Sequence, residues 1–279
     1  MTSGRLGKDP LPPYANSRFK LGLARMERET EGRPAPGLLR PRVVERVWGI
    51  VATGLSLLYT AILILPAALA SLFADGHFCS PIFRIWAWLI LRTFCVSVEV
   101  DGIENLQDVN SFVLVSNHQS LFDIVAVFLL IPREMRFLAK REIKKIPLIG
   151  FTVERSENIV IDRASGGKAI RRALAVADHG YSICVFAEGH RFSDNRVHEF
   201  NQGAAWVAIA TKLPCIPMAI GGTGELMQRG AKFALPGRRI RLVLRKPIPT
   251  IGMKGANRTE LTRRLEAEVL AAFQSASAP

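Results

Sequence analysis

His118 and Asp123 stand five residues apart, directly after the apolar run 111–116 (SFVLVS), and their types and spacing suit proton transfer. A neutral imidazole can act as a general base near pH 7, and a carboxylate on its second ring nitrogen fixes the tautomer and stabilises the cation. Active groups collect where a buried strand gives way to a helix, because the carboxyl edge of a covered sheet opens into a crevice. The same residues also fit a plainer reading, with Asp123 capping a helix and His118 satisfied in a turn. Five histidines and eight aspartates in 279 residues would give about 0.14 pairs at this offset by chance. The pair is therefore suggestive by itself.

Other familiar chemistries are missing. No G-x-S-x-G elbow occurs, and Gly166-Gly167-Lys168 lacks the first glycine and the Ser/Thr of a P-loop. The histidines and cysteines have no paired ligand spacing, so no metal site is expected. The cysteines, at 79, 95, 184 and 215, are too few and too widely spaced for a disulfide scaffold and read as free thiols.

From residue 99 onward, short apolar runs alternate with helical stretches. Strands are predicted at 111–116, 136–139, 158–161, 182–187, 215–220 and 240–244, with helices at 122–131, 166–179, 203–212 and 259–273. This alternation predicts an α/β fold with a mixed, largely parallel sheet flanked by helices. His118 then ends the first of these strands, and Phe186-Ala187-Glu188-Gly189-His190-Arg191 follows another.

Four blocks in order resemble the glycerolipid acyltransferases, the 1-acylglycerol-3-phosphate acyltransferase family. They are Asn117-His118-x4-Asp123, Arg163 after a short strand, the Phe186–Arg191 block where the family reads F-P-E-G-T-R, and an apolar turn at Ile216-Pro217. With surrounding sequence they cover about residues 99–250. The resemblance implies that His118 deprotonates a glycerol hydroxyl, which attacks the thioester of acyl-CoA or acyl-carrier protein, while Asp123 orients and charge-stabilises His118. It implies that Arg163 and Arg191 bind the acceptor phosphate, where a guanidinium fork is suited, with Lys140 as a third cation. Glu188 would bond a glycerol hydroxyl or pair with an arginine, and Gly189 would allow close backbone approach. No metal or other cofactor is called for. Ala187 replaces the family's proline and His190 its threonine, which bears on the acceptor headgroup. The implied product is phosphatidic acid from 1-acylglycerol-3-phosphate. The alternatives are another lyso-lipid acceptor, such as a lyso-ornithine lipid, and a non-catalytic lipid-binding protein.

The rest of the chain is both basic and apolar, with a net charge of +13, 49% hydrophobic residues and a mean hydropathy of +0.19. That composition excludes wholesale disorder and points to a partner with negative charge and an apolar part, a membrane before nucleic acid. Residues 1–46, with ten Lys/Arg, five Asp/Glu and many prolines, read as a mostly disordered basic arm. Residues 47–98 read as a membrane-associated helical hairpin, and 99–279 as the acyltransferase domain. Within the hairpin, 47–74 carries no charge, and its 19 residues before Pro66 would cover about 28 Å. Residues 82–98 hold Arg84 and Arg92, so this segment is expected at the interface, with Trp86 and Trp88 at headgroup depth and the arginines snorkelling. The resemblance implies thioester donors made in the cytosol, so the expected location is the cytoplasmic face of the membrane.

Overall fold

The computed structural model describes residues 43–73, 79–161, 166–192 and 194–277. The expected basic arm lies outside the described residues up to position 42. Arg46 already belongs to the first helix.

That helix, α1 (Val43–Phe73), runs through Pro66 and is followed by α2 (Cys79–Thr93). The hydroxyls of Thr53, Ser56 and Thr60 donate to carbonyls four residues back, which hides polar groups on an apolar helix. The two helices pack antiparallel. Trp48 Nε1 donates to the Thr93 carbonyl at 3.0 Å, and Trp86 Nε1 donates to Thr60 Oγ1 at 2.9 Å.

The second segment is more deeply used than its sequence indicated. Trp86 faces α1 and meets Phe128 edge-on at 6.4 Å. Arg84 Nη2 donates to the Ile131 carbonyl at 2.9 Å, so both side chains dock into protein instead of headgroups. Trp88 is exposed. The segment also ends earlier, because Ser97 and Val98 enter the sheet.

Seven strands form that sheet: β1 (Ser97–Asp101), β2 (Val113–Ser116), β3 (Met135–Lys140), β4 (Ile159–Ile161), β5 (Ser182–Phe186), β6 (Cys215–Gly221) and β7 (Arg239–Leu244). Their order is β1-β7-β6-β2-β5-β3-β4. Strands β2 to β6 are mutually parallel, β7 runs antiparallel to β6, and β1 is parallel to β7. The mixed, largely parallel sheet is thus as the sequence predicted.

Helices cover both faces, which is why β2 and β6 are buried at every position. On one face lie α5 (Gly166–Asp178), α6 (Gly203–Thr211) and α8 (Arg258–Ala276), packing Ala173, Ala205, Leu265 and Val269 against Val113, Val115 and Ile183. On the other lies α3 (Phe122–Leu130), whose Phe128 rests on Phe137 of β3 at 4.8 Å. The hairpin covers α3 in turn: Phe83 meets Phe128 at 5.1 Å and Phe94 meets Phe122 at 5.2 Å. Two short helices complete the chain, α4 (Ile149–Arg155) after β3 and α7 (Thr223–Leu226) after β6. The connection from α7 to β7 closes on α1 at Gly49, where a Cβ would come within 2.3 Å of the Ala234 carbonyl oxygen.

Candidate active site

In the three adjacent parallel strands β6, β2 and β5, the last residues of β2 and β5, Ser116 and Phe186, are in register, while β6 pairs Met218 with Ser116 and runs on to Gly221. Two residues beyond the last residue of each stand Thr223, His118 and Glu188. Together they form the centre of the site.

Asp123 lies in the first turn of α3, fully buried. Its Oδ2 accepts from His118 Nδ1 at 2.7 Å, from the Gln119 amide at 2.8 Å and from the Ser120 amide at 2.9 Å. Its Oδ1 accepts the Thr223 hydroxyl in a short hydrogen bond. Two peptide amides, a ring nitrogen and a hydroxyl thus converge on the two oxygens of this side chain. An ionised carboxylate can only accept, so Nδ1 carries the hydrogen and Nε2 presents a lone pair. The Phe186 ring stacks on the imidazole with centroids 4.0 Å apart and planes 11° from parallel. The imidazole is therefore fixed in both tautomer and plane, which is what a base needs before substrate arrives.

The surrounding loops are tied to this pair. The Asn117 side-chain amide donates to the Ile220 carbonyl and its oxygen accepts the Ile220 amide, both at 2.9 Å, clamping the end of β2 to β6. Glu188 is 2% exposed, with Oε2 accepting the His118 amide at 3.0 Å and Oε1 the His198 amide at 3.1 Å. Burial pushes its carboxyl up to about 7, against the opposing pull of those two amides. Gly189 has φ of 74°, and a Cβ there would meet Asn201 Nδ2 at 3.0 Å. The Phe192 amide then donates to the His118 carbonyl at 3.2 Å, so the loop returns to its starting point. Phe192 stacks on His198 at 3.6 Å, and His198 Nε2 pairs with Asp194 at 2.9 Å, holding that carboxyl below its ordinary range.

The residues singled out from sequence are thus placed unevenly. His118, Asp123, Glu188 and Gly189 come together. Arg191 sits on the same loop, half-buried, with no side-chain partner among the described residues. Lys140 ends β3 on the same sheet edge, two strands from β2, and is exposed. Arg163 lies outside the described residues. Within those residues Glu188 engages backbone amides in place of an arginine. Thr223 and His198 were not anticipated. The signal for Thr223 was present, since a hydroxyl in Gly222-Thr223-Gly224 follows a buried strand at the offset that His118 has from β2.

Residues 97–221 match the Acyltransferase family profile. The chloroplastic 1-acyl-sn-glycerol-3-phosphate acyltransferase LPAT1 of Arabidopsis thaliana is 31% identical over 169 residues, 59% of this chain and 47% of that protein. The alpha 1-acyl-sn-glycerol-3-phosphate acyltransferase of Ovis aries is 27% identical over 201 residues, 70% of this chain and 69% of that one. This chain spans about half the length of the plant relatives it matches. The crystal structure of the 1-acyl-sn-glycerophosphate acyltransferase PlsC from Thermotoga maritima superimposes with a TM-score of 0.70 at 23% identity, covering 83% of this chain and 97% of that one, a likeness of fold. Profile and relatives point the same way: residues 97–221 match the Acyltransferase family, and this part of the chain is similar to proteins named as 1-acyl-sn-glycerol-3-phosphate acyltransferases.

Proposed function

We propose that this chain transfers an acyl group from acyl-CoA or acyl-carrier protein to the free hydroxyl of 1-acylglycerol-3-phosphate, giving phosphatidic acid. The observation that carries this reading is the His118–Asp123 contact, 2.7 Å long and buttressed by two peptide amides and Thr223. His118 Nε2 takes the hydroxyl proton as the oxygen attacks the thioester carbonyl. The tetrahedral intermediate collapses with cleavage of the carbon–sulfur bond, and the imidazolium returns its proton to the departing thiolate. The reading calls for no cofactor beyond the acyl donor.

Arg191, Lys140 and Arg163 supply positive charge for the acceptor phosphate. Glu188 and Gly189 hold the loop that carries Arg191. The acceptor side bears a second reading, because exposed His190 stands where the family has threonine; another lyso-lipid headgroup, such as lyso-ornithine lipid, fits that change. Membrane association rests on α1, which is long and apolar enough to cross a bilayer by length and composition. Only 17% of its most apolar stretch is buried, unlike a core helix. A location at the cytoplasmic membrane face follows from the cytosolic origin of the donor.

The test is transfer from a labelled acyl thioester to a panel of lyso-lipids by purified protein in detergent. Transfer to 1-acylglycerol-3-phosphate that disappears in His118→Ala is the expected result. Full activity in His118→Ala would remove His118 as the base, and no transfer to any acceptor would remove the enzymatic reading.

A further inference from the structure

The segment between β3 and β4 has a part in neither the sheet nor the catalytic pair. A 3-10 turn, Arg141–Lys145, folds back on α4 at Gly150. The fit is close: the Gly150 amide donates to the Ile146 carbonyl at 2.8 Å, and a Cβ on Gly150 would lie 2.6 Å from the Lys144 Cα. A side chain there would push the two turns apart, so the hairpin is compact because residue 150 is glycine.

Its tip is apolar and in water contact. Ile146 is 46% exposed, Leu148 45% and Phe151 44%, three large apolar side chains within six residues. Leu148 has φ of 60°, a backbone state rarely adopted by a residue with a side chain. Such outliers persist where the surrounding structure imposes them, and they concentrate at sites of interaction. Arg141, Lys144 and Lys145 flank the tip, all exposed. Lys144 is paired with Glu154 at 2.6 Å, and Lys145 has no partner among the described residues. Clustered exposed apolar side chains beside cations match an interfacial element, whose apolar part enters the headgroup–acyl boundary while its cations meet anionic lipid. The position agrees, because α4 packs directly against α1.

We infer that the 141–151 hairpin is a second bilayer contact, inserting Ile146, Leu148 and Phe151 into an anionic lipid surface beside α1. It rests on the reading of α1 as the membrane helix. The two contacts come from separate segments of the sequence on one α/β domain, and so fix its tilt as well as its tether.

The experiment uses the full chain reconstituted into phosphatidylcholine vesicles, with or without phosphatidylglycerol. Nitroxide labels are placed singly at Leu148→Cys, Leu58→Cys and Glu260→Cys. All are made in a Cys95→Ser background, because Cys95 is the exposed native thiol among the described residues. Collision with oxygen against a water-soluble nickel chelate reports immersion. The expected result is an oxygen-to-nickel ratio at 148 several-fold above that at 260, rising further with phosphatidylglycerol. The added rise is lost when Lys144→Gln and Lys145→Gln are combined. If 58 is lipid-immersed while 148 matches 260, the hairpin inference is overturned and the α1 reading stands. If 58 and 148 both match 260, the α1 reading falls and this one with it. A label at 148 shielded from both reagents reports a protein contact, such as a second copy of the chain, and overturns the inference too.

Discussion

The Thr223 hydroxyl donates to Asp123 Oδ1, across one hundred residues of sequence, while Oδ2 of the same carboxylate receives His118. One oxygen faces the base and the other is held by the end of the neighbouring strand. Asp123 therefore cannot rotate away from His118 without leaving a buried hydroxyl unpaired. Thr223→Val is expected to lower kcat about tenfold with KM little changed, the scale of one hydrogen bond to a charged group. Thr223→Ser should restore kcat. A valine variant with native kcat would remove Thr223 from the relay.

Asp123→Asn tests the same centre from its middle. The amide can no longer accept from two peptide amides, the imidazole and Thr223 without presenting a donor to some of them. Activity is expected to fall by roughly 10³–10⁴, as when an orienting carboxylate is made neutral. The melting temperature should fall as well, because buried donors lose their acceptor.

Glu188 gives a pH dependence with a definite sign. Its folded carboxyl holds its proton to about 7, against 4.5 for the free group. The folded state therefore binds more protons across that window, and its stability declines as pH rises through it. Over the whole window the change is on the order of 3 kcal/mol. Glu188→Gln should flatten this slope, as read from melting in mild detergent at about pH 5 and about pH 8. An unchanged slope would place the titration elsewhere.

Gly189 is held at φ of 74° with Asn201 Nδ2 3.0 Å from where a Cβ would sit. Gly189→Ala is expected to cost about 1 kcal/mol of stability. It should impair transfer beyond that loss, since the loop also carries Arg191 and returns through Phe192 to the His118 carbonyl. Matched thermal and activity measurements separate the two effects.

Legibility from sequence followed how local each signal was. The runs ending at Ser116 and Phe186 declared themselves through continuous apolar residues, and the motifs beyond them marked the site. Strand β1 did not, because Ser97 and Val98 read as the tail of the apolar segment, and the strand declares itself only by pairing with β7, some 140 residues on. Helix α4 was hidden by Pro147 and Gly150, which read as turn residues. Trp86 and Arg84 looked interfacial because composition cannot show that Thr60 and the carbonyl of Ile131 would be their partners. His198 acts through contacts that no local pattern encodes, and Thr223, though it stands at the strand-end offset of His118, meets its partner Asp123 only across one hundred residues.

Helix α3 begins with the residue pair Phe122-Asp123 and ends beside the residues that hold the hairpin. Phe122 packs on Phe94, and Phe128 packs on Phe83 and Trp86. The family profile starts at residue 97, yet a chain cut there would retain His118 and Asp123 while stripping the aromatic cover from the helix that carries Asp123. The boundary of recognisable sequence is not a folding boundary, so a minimal soluble version of this protein needs replacement side chains over α3 and cannot be made by truncation alone.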